Sequence, residues 1–526
     1  MARAMRGSAC VVMFVALASD ALAQPEASPT VPVETPATDA LPAPEPAPEP
    51  PPPALVVDEP KPPAIEPSKP PAVATDETPT TTAPAKDRGF RFGSYGRVIA
   101  GTDLRGGKPE STNVVAYGPR IVEPSYLELD LSYGFETPRG YSLRPVITLA
   151  FDGTLFHETG EFDAQPALRN FYLDAQLSQQ VTAWVGSRMY RGDDIYLFDF
   201  WPLDEQNTVG AGLFYRRQEA PGADTLELAA HAGVNRLRDD FQFQTVDVLD
   251  PAQGSTVVTQ LNRQRMVAST TASYILAAAN DIHVKAKVHG EVHALPSGTR
   301  RRKTDGTAEE LPSDNGYVVG AQVGAFGFAS AASGYRRHVN LFARYAKGLA
   351  AFDELAPPTS FGADRTTARA SELSFGMSAN WDTKFGHLMA GALSRRFIDA
   401  DAPGSDADDG WEYAMAVRPL ARVVPGVPEL FVGGELSYQA RFPKGLNATT
   451  QRAEDPAVFS IGPMIVYSPM GPSGYDRPQL RLVYRASYLN DAAQAGFVPD
   501  DPRAGRSLVH FLGVQAEWWF NSTTYR

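Results

Sequence analysis

Polar and apolar residues alternate one for one along segment after segment of this chain. In "YLELDLSYGF", Tyr126, Glu128, Asp130 and Ser132 alternate with Leu127, Leu129, Leu131 and Tyr133. In "ELSYQARF", Glu435, Ser437, Gln439 and Arg441 alternate with Leu436, Tyr438, Ala440 and Phe442. In "QLRLVYRASY", Gln479, Arg481, Arg485 and Ser487 oppose Leu480, Leu482, Tyr484, Ala486 and Tyr488, and Val483 alone breaks the polar face. In "GVQAEWWF", Gln515, Glu517 and Trp519 oppose Val514, Ala516, Trp518 and Phe520. Successive side chains of a β-strand point to opposite faces, so a period of two gives each strand one wet face and one dry face. Two architectures accept such strands: a soluble sheet packed on one side, or a barrel in a membrane.

Three features favour the barrel. The apolar faces carry Leu, Val, Ala and Gly with aromatics near the strand ends, as an interfacial girdle requires. The polar faces mix charges of both signs with rings, which suits a water-filled lumen. Long linkers such as "PSGTRRRKTDGTAEELPSDNG" alternate with tight ones such as "ETPRG", the pattern of outer loops and periplasmic turns. Closure also pairs every strand edge, which hydrocarbon would otherwise penalise. No stretch after the N-terminus supplies the run of about 18 apolar residues that a transmembrane helix needs. The expected fold is all-β, a transmembrane antiparallel β-barrel over residues 89–526, placed in a bacterial outer membrane with lipid around it.

The N-terminus reads differently. In "MARAMRGSACVVMFVALASDALAQ", Arg3 and Arg6 precede an apolar core from Val11 to Leu17, and Ala21-Leu22-Ala23 forms a small-x-small cleavage site. Residues 1–23 are therefore expected to be a signal peptide, which takes Cys10, the single cysteine, with it. An exported chain without cysteine is held by its backbone pairing alone. Residues 24–88 hold twenty of the chain's 45 prolines. Proline lacks an N–H and fixes φ, so neither helix nor sheet can propagate there. The expectation is a disordered periplasmic linker, able in polyproline II form to reach on the order of 200 Å, with peptidoglycan as a possible contact. The net charge of −13 argues against nucleic acid as a partner.

The stretch "SRMYRGDDIYLFDFWP", residues 187–202, crowds Arg188, Tyr190, Arg191, Asp193, Asp194, Tyr196, Asp199 and Trp201 around Leu197, Phe198 and Phe200. A dry core could not pair so many charges, and an ordinary surface would not show so many rings. With the "VGAG" that follows, it resembles the run into the constriction loop of the maltoporin (LamB-type) carbohydrate porins. Other stretches agree in order: "FRFGSYGRVIAGTDL" is similar to that family's first strand, "GYDRPQLRLVYRASYL" to a late strand and "FLGVQAEWW" to the closing strand. "YAMAVRPLARVVPGVPELFVGGELSY" fits its usual hairpin. The resemblance implies eighteen strands, assembly as a homotrimer and facilitated diffusion of maltodextrins or related oligosaccharides.

A sugar presents apolar C–H faces and a belt of hydroxyls, so a selective channel needs rings on which it stacks and polar groups that replace its water. By resemblance the aromatic slide is Tyr95, Tyr126, Tyr475, Trp519 and Trp201, the last in place of a constriction tyrosine. Parity agrees for four of them: Tyr95 shares a face with Arg97, Tyr126 with Glu128, Tyr475 with Gln479 and Arg481, and Trp519 with Glu517. Each ring taken singly could equally be lumen filler or a girdle residue. The polar track implied is Arg97, Arg120, Glu128, Arg169, Asp194 and Asp199. Arg120 needs a small alignment gap, Gly192 stands where the family pattern has an arginine, and only Phe162 offers itself as a ring donated across the trimer.

His283, His289, Glu291 and His293 fall on one strand face, but at about 3.3 Å per residue His289 and His293 stand roughly 13 Å apart, too far to share one ion. No metal, cofactor or catalytic constellation is expected. Three functions remain open: a substrate-selective oligosaccharide channel, a general or differently selective (sucrose-type) porin on the same scaffold, and a barrel anchor whose proline-rich tether binds the cell wall.

Overall fold

The computed structural model describes residues 88–522, apart from segments at 153–155, 157–163, 221, 236–242, 251–253, 262, 279–280, 302–306, 329–335, 353, 402–408, 425, 448–449 and 472. The expected signal peptide, nearly all of the proline-rich linker, and Phe162 lie outside the described residues.

Eighteen antiparallel strands form one sheet, and each pairs with its neighbour in sequence. The first strand, Gly89–Thr102, pairs on one side with Tyr126–Glu136 and on the other with the last strand, Leu508–Phe520. Tyr95 thereby sits opposite Glu128 on one side and Trp519 on the other. That double pairing closes the sheet and leaves the barrel no edge, the condition for a β-protein in hydrocarbon. Short hairpins at Phe243–Asp250 with Gly254–Leu261, and at Gly298–Arg301 with Ala308–Leu311, are separate sheets within long connections.

The alternation maps onto the two faces as expected. Val288, Val323 and Val514 are each more than half exposed on the outer wall. Charged residues of the inner face are buried and paired, as where Arg418 donates to Glu435 at 2.7 Å. Exposed rings mark both rims. Phe90, Tyr133, Phe385 and Tyr467 ring the end with tight turns, and Tyr317, Tyr413, Phe442 and Tyr488 ring the end with long loops. The tight turn after Glu136 closes by Gly140 N–H donating to Thr137 O at 2.9 Å, with Gly140 at φ 84°, a left-handed value that glycine adopts without strain.

Two connections from the long-loop end fold into the lumen instead of away from it. One is residues 191–205, between strands Val181–Tyr190 and Gln206–Gln218. The other is residues 103–125, between the first two strands. The first carries its own apolar anchor: Ile195, Leu197, Phe198 and Phe200 are buried against Phe342, Met389, Leu393, Ala414 and Ala416 of the inner wall. The wall makes room with glycine. A Cβ on Gly391 would stand 3.0 Å from Ile195 Cγ2 and 3.4 Å from Phe198 Cε2. On that side the lumen wall is dry, contrary to the uniform polar face that alternation suggested. The apolar members of the crowded stretch therefore hold the loop, and Asp193, Asp194 and Tyr196 are left to face the pore.

Candidate functional site

The inward loop is a tight structure. Ile195 N–H donates to Phe200 O at 2.8 Å, enclosing a single 3-10 turn over Tyr196–Phe198. Asp199 (φ 52°) and Asp204 (φ 59°) take left-handed backbone angles, which aspartate tolerates better than most residues. The segment 103–125 locks onto this loop. Arg120 N–H donates to Leu197 O at 3.2 Å, the Arg120 guanidinium meets Asp199 at 3.1 Å, and the Tyr117 ring stacks on Phe200 with centroids 4.0 Å apart.

Between the loop and the opposite wall lies a cavity of about 420 Å3. Tyr95, Tyr196, Phe326, His338, Tyr475 and Trp519 supply its rings, and Arg120, Asp193, Asp194, Lys285, Arg336, Arg477 and Glu517 its charges. The rings lie close together. Tyr126 and Tyr95 have centroids 5.9 Å apart, Tyr95 is the direct cross-strand partner of Trp519, and Tyr475 lies 5.5 Å from Tyr196 and 5.7 Å from His338. This places aromatic faces from Tyr126 on the second strand to His338 on the far wall.

The charges beside the rings are mutually held. Glu517 accepts from Tyr196 Oη at 2.9 Å and pairs with Arg477 at 3.1 Å and Arg481 at 2.7 Å. Lys285 donates to Asp193 at 2.6 Å. Burial works against the charge on Asp193, but Lys285 and Lys287 more than offset it and hold this carboxyl well below the usual range. Asp194, next in sequence, behaves oppositely. Burial pushes its carboxyl up to about 6, with Asp193 and Asp199 adding to the rise and Arg120 opposing it. Its one hydrogen bond among the described residues comes from Tyr475 Oη at 3.3 Å. A neutral hydroxyl-bearing ligand could exchange hydrogen bonds with such a group without displacing an ion pair.

Of the residues singled out from sequence, Tyr95, Tyr475, Trp519, Arg120 and Asp194 line this cavity. Tyr126 stands beside it, donating to Glu128 at 2.5 Å and accepting from Arg169 at 2.6 Å. Glu128 is fully buried and ion-paired with Arg169, so the pair braces Tyr126. Arg97 pairs with Glu123 at 3.0 Å and donates to Tyr95 Oη at 3.4 Å. Trp201 is elsewhere. It is 4 % exposed, with the Arg191 guanidinium 3.7 Å above its ring, and it faces a small void on the other side of the loop. Tyr475 reaches the cavity by another route than parity supposed: it precedes the strand Gln479–Leu489 and sits in an inward-bent turn, pinned by Ser473 Oγ accepting from its N–H at 3.1 Å.

Sequence reasoning left Tyr196, Lys285, His338 and Arg477 out of the site. Tyr196 lay within the crowded stretch and Arg477 two residues from Tyr475, so both were within reach of motif reasoning. Lys285 shares the strand face of His283 and His289, but nothing local tied it or the distant His338 to the loop. The histidine face also resolves: Glu291 stands between His289 Nε2 at 3.4 Å and His293 Nε2 at 2.5 Å, so a carboxylate joins the two rings.

The profile of the LamB porin family matches residues 90–520. The chain belongs to the LamB porin family. It is a porin channel of the outer membrane. No curated protein matches the chain. Solved structures similar to this porin include OccAB1 of Acinetobacter baumannii, 12 % identical over 82 % of this chain and 95 % of that one, with a TM-score of 0.39. OccD3 (OpdP) of Pseudomonas aeruginosa is 9 % identical over 84 % and 93 %, with a TM-score of 0.40. A BenF-like porin from Pseudomonas fluorescens Pf-5 is 11 % identical over 82 % and 97 %, also at 0.40.

Proposed function

We propose that this porin passes maltodextrins or related oligosaccharides by facilitated diffusion through the cavity beside its inward loop. The observation that carries the reading is the set of rings Tyr126, Tyr95, Trp519 and Tyr475 running along one side of a lumen narrowed to paired charges. Sugar C–H faces stack on such rings, and hydroxyls exchange hydrogen bonds with Asp194, Arg120 and the Tyr196–Glu517 pair. Each contact is weak enough to release, so the sugar moves on. Maltodextrins are expected to interrupt ion current through the reconstituted channel, and longer oligomers more strongly, because a longer chain touches more rings at once. Current unaffected by every α-glucan tested would refute the maltodextrin reading.

A different sugar preference on the same scaffold is the second reading. It is favoured by Gly192, which lines the cavity where the family resemblance expects an arginine, and by the withdrawal of Trp201 from the pore. For the rest of the chain we propose an exported signal at 1–23, a periplasmic linker at 24–88 and a homotrimer, all on the strength of composition and family.

A further inference from the structure

Residues 468–478 join the strands Ala457–Tyr467 and Gln479–Leu489 at the tight-turn end, the end that faces the periplasm in outer-membrane barrels. Elsewhere at this end, residues 384–385 alone join two strands. The longer connection does not hang below the rim. Ser473 is fully buried, and Tyr475 and Arg477 line the constriction cavity.

Buried contacts seat it on the inner wall. Ser473 Oγ accepts from Asn380 Nδ2 of the strand Ser371–Thr383 at 3.4 Å and from Tyr475 N–H at 3.1 Å, and Ser473 O accepts from Gln479 Nε2 at 2.9 Å. Asp476 closes the turn: its carboxylate accepts from Ser473 N–H at 3.0 Å, and its own N–H donates to Ser473 O at 3.0 Å. At the next residue the backbone lies flat against the wall. A Cβ on Gly474 would run into Met389 Cε and stand 3.8 Å from His387 Nε2. A buried turn whose polar groups are satisfied in this way is held in one place.

The same wall strand also carries the inward loop. Gly386–Ile398 runs away from the tight-turn end; its inward positions His387 and Met389 meet Gly474, and Gly391, the next of them, meets Ile195 and Phe198. At about 3.3 Å per residue, the turn therefore lies roughly 7 Å nearer the tight-turn end than the loop does. The two elements are stacked along the pore and touch. Tyr475 Oη donates to Asp194 at 3.3 Å, and the Arg477 guanidinium lies 5.0 Å from the Tyr196 ring. A solute that clears the loop still has to pass the turn. We propose that residues 473–478 form a second constriction element, built from the periplasmic side and positioned by Ser473 and Gly474, which limits the size of what enters and leaves at that mouth.

The test sizes each mouth of the reconstituted channel with polyethylene glycols of graded length, added to one side at a time; a polymer that enters lowers the current. Two variants are compared with the parent. In the first, Asn-Gly replaces residues 469–478, which leaves Ser468 and Gln479 flanking a two-residue turn in register with Tyr467 opposite Leu480. The second, Ser473→Ala, keeps Tyr475 and Arg477 and removes only the hydroxyl that Asn380 and Tyr475 share. The short turn should raise conductance and admit, from the tight-turn side alone, polymers that the parent excludes; Ser473→Ala should do the same to a smaller extent. Conductance and exclusion limits that match the parent in both variants overturn the second constriction. Limits that shift equally from both sides overturn it as well, because turn and loop would then share one aperture. None of these measurements involves a sugar, so failure here leaves the sugar-channel reading standing, and failure of sugar block leaves this one standing.

Discussion

Trp519→Ala isolates what a single ring contributes to transport. Trp519 borders the constriction cavity, faces its cross-strand partner Tyr95, and has the Arg477 guanidinium 5.6 Å from its ring. Loss of one stacking platform costs about 1–3 kcal/mol, or roughly 5- to 150-fold in dissociation constant. Tyr95, Tyr196 and Tyr475 remain around the same cavity, so the loss should fall in the lower part of that span. The Arg477–Glu517 pair, at 3.1 Å, stays in place, so open-channel conductance and ion selectivity should hardly change. The assay is titration of current block with maltohexaose in single channels. Trp201→Phe is the control: that ring is buried beneath Arg191, away from the cavity, and retaining an aromatic there should leave the block constant as in the parent. A Trp519→Ala channel blocked with the parent's constant would show that the ring is scaffold, and the binding site would then lie elsewhere in the lumen.

Asp194 should make ion selectivity pH-dependent. Its carboxyl is ionised above about pH 6 and neutral below, so cation preference should fall as pH is lowered through that value, and Asp194→Asn should remove this step; reversal potentials measure it. Gly391→Leu should push the inward loop off the wall, because even a Cβ there would stand 3.0 Å from Ile195; larger conductance with weaker sugar block is the expected reading. Deleting residues 24–88 should leave barrel assembly and conductance intact, since that segment has no apolar alternation to join the sheet; loss of heat-resistant assembly on a gel would show that it contributes to folding.

Several parts of this porin were readable before any coordinates. The wet and dry faces of the strands from Tyr126, Glu435, Gln479 and Val514 followed from alternation, because side-chain direction in an extended chain is a local property. Trp519 and Tyr95 were placed by the same count, which holds along any unbroken strand. Trp201 came from the resemblance and not from parity, and it lies in a loop, buried away from the cavity that the other rings line. Asp199 and Asp204 bracket it with left-handed backbone angles, so no count along a strand reaches it. Tyr475 reached the cavity although the count did not apply to it, since its turn bends inward before the strand begins.

Sequence by itself thus determined the class of fold, the face each strand turns to water and the local crowding of charges and rings at residues 187–202. Tertiary structure decided what that crowding does. The pairing of Gly89–Thr102 with Leu508–Phe520 joins residues at opposite ends of the barrel sequence, and only closure brings Tyr95 beside Trp519. The inward course of residues 103–125 has no periodic signal of its own; it depends on partners as distant as Gln439, which accepts from Val114 N–H at 2.9 Å. The dry patch that seats Ile195 exists because glycines and alanines of separate strands meet in space. Alternation acts between neighbours along the chain, whereas a pore and its constriction are made by contacts between residues hundreds of positions apart.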